Sequence, residues 1–229
     1  MPAPSQPHHS HAFVPALGRD WLTPLYDPFI RATLRERAVK SRLVDQARLQ
    51  PGQRVLDFGC GTGTLTLLLK RAQPSARVTG LDVDAKVLEL ARRKIEKAGA
   101  EVELLQGRIE EVELAAASFD RVVSCLVLHH LTTDEKLSAL RAMRSALRPG
   151  GELHIADFGP PHNALMRWVS WPVRMLDGAA RLSANLSGQL PTLIGDAGFV
   201  DVRDRGSVAT PFGTLAFWSA GTGGSDAPA

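Results

Sequence analysis

The sequence predicts an α/β fold of Rossmann-like type: a doubly wound, seven-stranded, mostly parallel sheet with an antiparallel last strand, plus helical cover segments. Three observations carry this. Short apolar runs alternate with segments of helical length and period between about residues 50 and 158, and that alternation implies right-handed crossovers between parallel strands. The first apolar run ends in a glycine-rich turn, Gly59-Cys60-Gly61-Thr62-Gly63, directly before a helical pattern. The last two runs are joined by the short "SVATPFG", which makes them antiparallel neighbours.

In chain order, residues 1–12 are rich in Pro, His and Ser and read as a mobile tail. A helix is predicted from about Pro28 to Leu49, the turn "PGQ" follows, and then the strand "RVLDF". Next come a helix at "TLTLLLKRA", a strand at "RVTGLD", a helix at "DAKVLELARRKIEKAG" and a strand at "EVELLQG". An acidic connection leads to a strand at "FDRVVSCLVL" and an amphipathic helix at "TDEKLSALRAMRSALR" closed by "PGG". A strand at "ELHIADF", a long helical region, and strands at "FVDVRDRG" and "TLAFWSA" complete the pattern. We expect one domain over residues 13–220: a cover helix in 13–50, a ligand-binding core in 51–158, a helical cover in 159–198 and C-terminal strands in 199–220. Residues 221–229 read as a second tail.

With 229 residues, 44% of them hydrophobic, the chain can bury a sizeable core. The two cysteines, Cys60 and Cys125, are too few for a disulfide framework and lie in apolar stretches, which points to a reducing, cytoplasmic setting. No leader pattern and no apolar run of membrane-spanning length is present. The formal net charge is only +3 and the charges are interspersed, so nucleic acid is not an expected partner. The cluster of His8, His9 and His11 lies in a tail with no fixed geometry, and no metal site is expected.

Three alternating glycines after a buried strand bring backbone close to a small ligand, because residues without Cβ leave room and tolerate positive φ. The dinucleotide fingerprint needs Gly or Ala one position later than Gly63, where Thr64 stands. A phosphate-binding P-loop needs Gly-Lys-Ser/Thr, and Gly63 is followed by Thr64-Leu65. A ligand with a ribose but without phosphates remains. Asp82, at the end of the next strand, is placed to accept from ribose hydroxyls.

At this point a resemblance becomes specific. "VLDFGCGTG", "GLDVD", "FDRVVSCLVLHHL" and "LRPGGELHIADF" occur in the order and spacing of the class I S-adenosylmethionine-dependent methyltransferases. The chain resembles most the small-molecule branch that includes the ubiquinone and menaquinone biosynthesis enzymes, over about residues 21–220. The resemblance implies S-adenosyl-L-methionine as cofactor and a small-molecule acceptor. It makes Asp57, Gly59, Gly61 and Gly63 the wall against the methionine part, with Asp82 on the ribose and Val83 over the adenine. Asp84 reads instead as a helix N-cap. Where the family often places an adenine-binding Asp after Gly107, this chain has Arg108, which cannot accept a hydrogen bond; backbone groups, Ile109 or a stacked Arg108 are left for that corner.

Ser124 and Cys125, at the end of the fourth strand, are expected to flank the cofactor. His129 and His130 follow; in extended conformation adjacent side chains point to opposite sides, and either is a candidate general base near the transferred methyl. Tyr26, in "WLTPLYDPFIR", resembles the residue that covers the methionine end in related enzymes. In the second cover, Trp168, Trp171 and Met175 share one helical face and read as a core stripe. Arg167, Arg174 and Arg181 recur every seventh residue and permit a peripheral membrane or lipid-acceptor reading, which Pro172 weakens. Two other functions compete: a cofactor-binding partner protein without transfer activity, and a nicotinamide oxidoreductase, which fits the sheet but fails at Thr64.

Overall fold

The structure, a computed structural model, describes residues 36–161, 179–211 and 213–224. Helix α1 (Glu36–Ala47) precedes β1 (Arg54–Phe58), α2 (Thr64–Ala72), β2 (Arg77–Asp82), α3 (Ala85–Lys97) and β3 (Val102–Gln106). After a connection come β4 (Phe119–Cys125), a 3₁₀ turn (Leu128–His130), α4 (Thr133–Ala146) and β5 (Leu147–Phe158). Then α5 (Ala179–Leu186), α6 (Leu190–Asp196), β6 (Val200–Thr210) and β7 (Gly213–Gly221) complete the described chain.

The seven strands form one sheet in the order β3-β2-β1-β4-β5-β7-β6. Strands β1 to β5 pair in parallel, and β7 is antiparallel to both β5 and β6. The predicted doubly wound, mostly parallel sheet with an antiparallel last strand is thus the observed one. Successive residues of a strand face opposite sides, so β1 and β4 feed two cores. Leu56 and Val122 face a layer with Leu140 and Met143 of α4 and Leu190 and Ile194 of α6. Val55 and Val123 face Val39, Leu43 and Val44 of α1 and Leu65 and Leu69 of α2. Strand order reverses direction between β1 and β4, and in such sheets ligands sit outside the carboxyl ends at that reversal.

Local chemistry explains the boundaries nearest that rim. Asp84 caps α3 by accepting from the Lys86 amide at 2.7 Å. Thr132 and Glu135 form a reciprocal capping box at the start of α4. Several boundaries depart from the sequence reading: β6 runs on to Thr210, through half of the expected connection "SVATPFG", and two other departures bear on the sheet nearer the site. Strand β4 ends at Cys125 rather than Leu128, because Leu126 takes φ 58° and turns the chain out of the sheet. Strand β5 begins at Leu147, so the "PGG" expected to close the preceding helix lies inside a long strand, with a register irregularity opposite Phe119–Arg121.

Candidate functional site

The three loop glycines all have positive φ: 71° at Gly59, 53° at Gly61 and 72° at Gly63. Their surroundings differ. A Cβ on Gly59 would lie 2.3 Å from Val127 Cγ2, and one on Gly63 would lie 3.1 Å from Ala91 Cβ of α3, whereas one on Gly61 would meet nothing within 4 Å. Two glycines therefore permit close packing, and the middle one faces open space. Leu81 O accepts from the amides of Gly59 and Cys60 at 2.8 and 3.0 Å. Lys94 Nζ donates to both Thr62 Oγ1 and Thr64 Oγ1 at 2.9 Å, tying the loop to α3.

Asp82 completes this half of the rim. Its Oδ2 accepts from the Gly61 amide at 2.8 Å and its Oδ1 from the Asp84 amide at 3.0 Å. Burial pushes its carboxyl above the usual carboxylate range, partly offset by those amides. Val83 beside it is 43% exposed, an apolar surface on the open side of the rim. Gly107 donates from its amide to Asp82 O at 3.0 Å. Arg108 faces Glu110 at 3.7 Å, Glu111 at 4.0 Å and Glu135 at 3.7 Å, while Ile109 is sunk in the core with Leu56 and Leu81. Of Val83, Arg108 and Ile109, Val83 is the one that presents an open apolar face.

Asp57 lies at the end of β1 and is buried. Its Oδ2 accepts from Thr66 Oγ1 at 2.6 Å, and its Oδ1 has no hydrogen-bond partner. Burial raises its carboxyl from 3.8 to about 6, against the pull of Thr66 and of Lys40 on α1. Ser124 Oγ, at the end of neighbouring β4, is likewise buried and unpartnered. Cys125 points to the opposite face, into the α1 side of the core, and burial pushes its thiol up to about 12. Burial also pushes the Cys60 thiol well up. Both thiols stay protonated at neutral pH, which suits packing rather than thiolate chemistry.

The histidines differ from expectation. They lie in a 3₁₀ turn rather than extended chain, so their rings do not point apart; the ring centroids are 3.9 Å from each other. The cause is the early end of β4: once Leu126 turns, the carboxylate of Asp157 on β5 gathers the amides of Val127 and His129 at 3.2 and 3.3 Å. His129 is buried and its Nδ1 lies 2.8 Å from Asp157 Oδ1, while His130 is exposed. Burial alone would raise the Asp157 carboxyl, but the adjacent His129 and the Phe158 amide more than offset it and hold it below the usual carboxylate range. Lys136, fully buried on α4, donates from Nζ to Leu131 O at 2.6 Å, and burial lowers its ammonium to about 8 against the opposing pull of Asp157 and Glu135.

Sequence reasoning missed Asp157, Lys136, Lys40 and Thr66. Asp157 had a signal, since it stands one residue from the end of the strand "ELHIADF", much as Asp82 ends "RVTGLD". Lys136 had none in an amphipathic helix. Tyr26, Trp168, Trp171, Met175, Arg167 and Arg174 lie outside the described residues, as does the side chain of Arg181. Among the described residues, no group of His, Cys, Asp and Glu could hold a metal ion, and no helix is long and apolar enough to cross a membrane.

Residues 55–151, the span from β1 into β5, match the model of a methyltransferase domain. An uncharacterized methyltransferase of Synechocystis is 30% identical over 164 residues, covering 70% of this chain and 73% of the relative. The chain belongs to the S-adenosylmethionine-dependent methyltransferases. A demethylmenaquinone methyltransferase of Thermus thermophilus is 36% identical over 122 residues, 53% of this chain and 54% of that protein. The match thus spans about half the length of that methyltransferase, and 31% of an uncharacterized Synechococcus relative. The crystal structure of the S-adenosylmethionine-dependent methyltransferase SibL in its apo form superimposes with a TM-score of 0.69 at 24% identity, covering 90% of this chain and 60% of that one. Membership of this class I methyltransferase family removes the ground for a nicotinamide oxidoreductase.

Proposed function

We propose that the chain transfers a methyl group from S-adenosylmethionine to a small, apolar acceptor of the quinol type. The observation that carries the cofactor site is the unpartnered, buried Asp57 Oδ1 at the foot of a loop where Gly61 faces open space. A buried acceptor with no donor suits the ammonium of the methionine moiety, because an unpaired carboxylate oxygen is costly until a cation reaches it. Asp57, Gly59, Gly61 and Gly63 then wall the methionine part, Asp82 meets the ribose, and Val83 covers the adenine. Gly107, with the backbone at Arg108 and Ile109, closes the adenine side. Ser124 and Cys125 flank the site from β4.

When bound, S-adenosylmethionine supplies a methyl group on a sulfonium whose departing electron pair stays with sulfur. The leaving group is already good, so the protein's contribution is proximity and orientation. His129 and His130, on the turn after β4, are the catalytic candidates. The quinol acceptor is suggested by the demethylmenaquinone methyltransferase relative. A partner protein that binds the cofactor without transferring methyl would show the same loop and Asp82. Calorimetric titration with S-adenosylhomocysteine, with NAD as the control ligand, tests the cofactor. Transfer of labelled methyl to 1,4-naphthohydroquinone tests the reaction. Tight S-adenosylhomocysteine binding with no transfer to any hydroquinone, phenol or amine would replace the enzyme by the silent partner.

A further inference from the structure

We propose that Asp157 is a positioning residue that sets the tautomer of His129, and that the pair equips the site for an acceptor that arrives protonated, through a hydroxyl group or an acidic ring carbon. This rests on the methyltransferase reading above. A carboxylate only accepts hydrogen bonds, so the contact of Asp157 Oδ1 with His129 Nδ1 at 2.8 Å places the ring proton on Nδ1 and leaves Nε2 as the basic nitrogen. Nε2 has no hydrogen-bond partner among the described residues. The ring is fixed on two further sides, edge-on to Phe158 at 4.9 Å and against the His130 ring at 3.9 Å. The same carboxylate accepts from the amides of Val127, His129 and Phe158, so one group fixes both the turn and the ring it carries.

The charged neighbours of Asp157 are His129 and His130 on the turn, Lys136 on α4 and, beyond it, Glu135. The Cys125 thiol, at the end of neighbouring β4, is protonated. Asp157, His129 and Lys136 are all buried. Apolar residues of similar volume are commonly as stabilising as buried ionic groups, so stability alone gives little reason for three of them around the one turn that follows β4. In the step that they serve, the acceptor's X–H bond breaks, its electron pair forms the new bond to the methyl carbon, and the proton passes to His129 Nε2 and later to water. A neutral amine acceptor would not need this base.

The test is nitrogen NMR of histidine-labelled protein together with kinetics. Wild type should show His129 with the proton on Nδ1. In Asp157→Asn, whose amide can donate as well as accept, the Nε2–H form should gain population. Turnover of 1,4-naphthohydroquinone should fall about 10² to 10⁴-fold, the contribution of a general base, with S-adenosylhomocysteine affinity within about twofold. Asp157→Glu should restore the Nδ1–H form and part of the rate. A wild-type His129 protonated on Nε2 would overturn the proposal without need of any variant. So would a folded Asp157→Asn protein of unchanged turnover, or transfer to neutral amines but to no hydroquinone or phenol. Failure of wild type to bind S-adenosylhomocysteine would instead overturn the cofactor reading, and the imidazole spectrum is recorded without that ligand.

Discussion

Asp82 and Asp157 both stand at the carboxyl end of a parallel strand, yet they meet different partners. Asp82 spends both oxygens on backbone amides, of Gly61 and Asp84, and so shapes a loop. Asp157 takes three backbone amides and one imidazole nitrogen, and so shapes a side chain. The rim is divided accordingly. On the β1–β2 half the surface is mostly backbone held in left-handed conformations, suited to cradling a ligand. On the β4–β5 half it is buried titratable side chains, suited to moving a proton. Binding and chemistry should therefore be separable by mutation.

The largest effect should come from the glycine loop, and it should take two distinct forms. Gly61→Val puts a branched side chain into the open space at φ 53° and should abolish measurable S-adenosylhomocysteine binding, at a folding cost of about 1–2 kcal/mol for the left-handed conformation. Gly59→Ala should do the reverse. Its new methyl meets Val127 at 2.3 Å, so stability falls by about 1–3 kcal/mol from overpacking, added to the backbone strain. Val127→Ala should recover part of that loss. Denaturant melts and calorimetry on both variants settle it; a folded Gly61→Val protein with intact affinity would take the loop out of the ligand site.

Next in size is Asp57. Its carboxyl is raised by burial from 3.8 to about 6, so the folded state holds a proton that the unfolded chain has already lost. The stability that this protonation contributes is fully present below about pH 4 and is lost as pH rises through about 6; two units amount to about 3 kcal/mol. Asn resembles the protonated acid. Asp57→Asn should therefore match wild type near pH 4 and exceed it by up to about 3 kcal/mol at pH 7, measured by denaturant melts across that range. Cofactor affinity should move the other way, weaker in the variant and in wild type rising with pH through about 6, as the carboxylate meets the ammonium. A stability difference flat in pH would show that Asp57 ionises normally.

The half of the rim built from backbone was largely legible in the sequence. The glycines, the strands at 54–58 and 77–82 and the helix at 64–72 were read to the residue, because Gly, Pro and cap residues mark both ends of each. The chemical half was not. "CLVL" is an unbroken apolar run, and nothing local says that Leu126 will turn left-handed and end β4 three residues early. His129 and Asp157 meet across neighbouring strands, and Lys136 looks like any solvated helix lysine until α4 docks. Strand ends and glycines are written in local pattern; the partners of a buried charge are written in topology.

The smallest effect is also the sharpest control on the comparison, because Asp82 and Asp84 stand two residues apart. Asp82→Ala removes the acceptor proposed for the ribose and should weaken S-adenosylhomocysteine by about 1.5–3 kcal/mol, the range for hydrogen bonds to a charged group. It also frees the Gly61 amide, so the loop should exchange its amide hydrogens faster. Asp84 touches α3 through the Lys86 amide at 2.7 Å. Asp84→Ala should cost about 0.5–2 kcal/mol of stability through the lost cap and leave affinity within a factor of about two. Hydrogen exchange separates the two: faster exchange at Gly61 in the first variant, and at the first turn of α3 in the second. Should Asp84→Ala weaken the ligand as much as Asp82→Ala does, the strand end acts on the cofactor only by holding the loop and α3 in place, and the ribose contact of Asp82 falls.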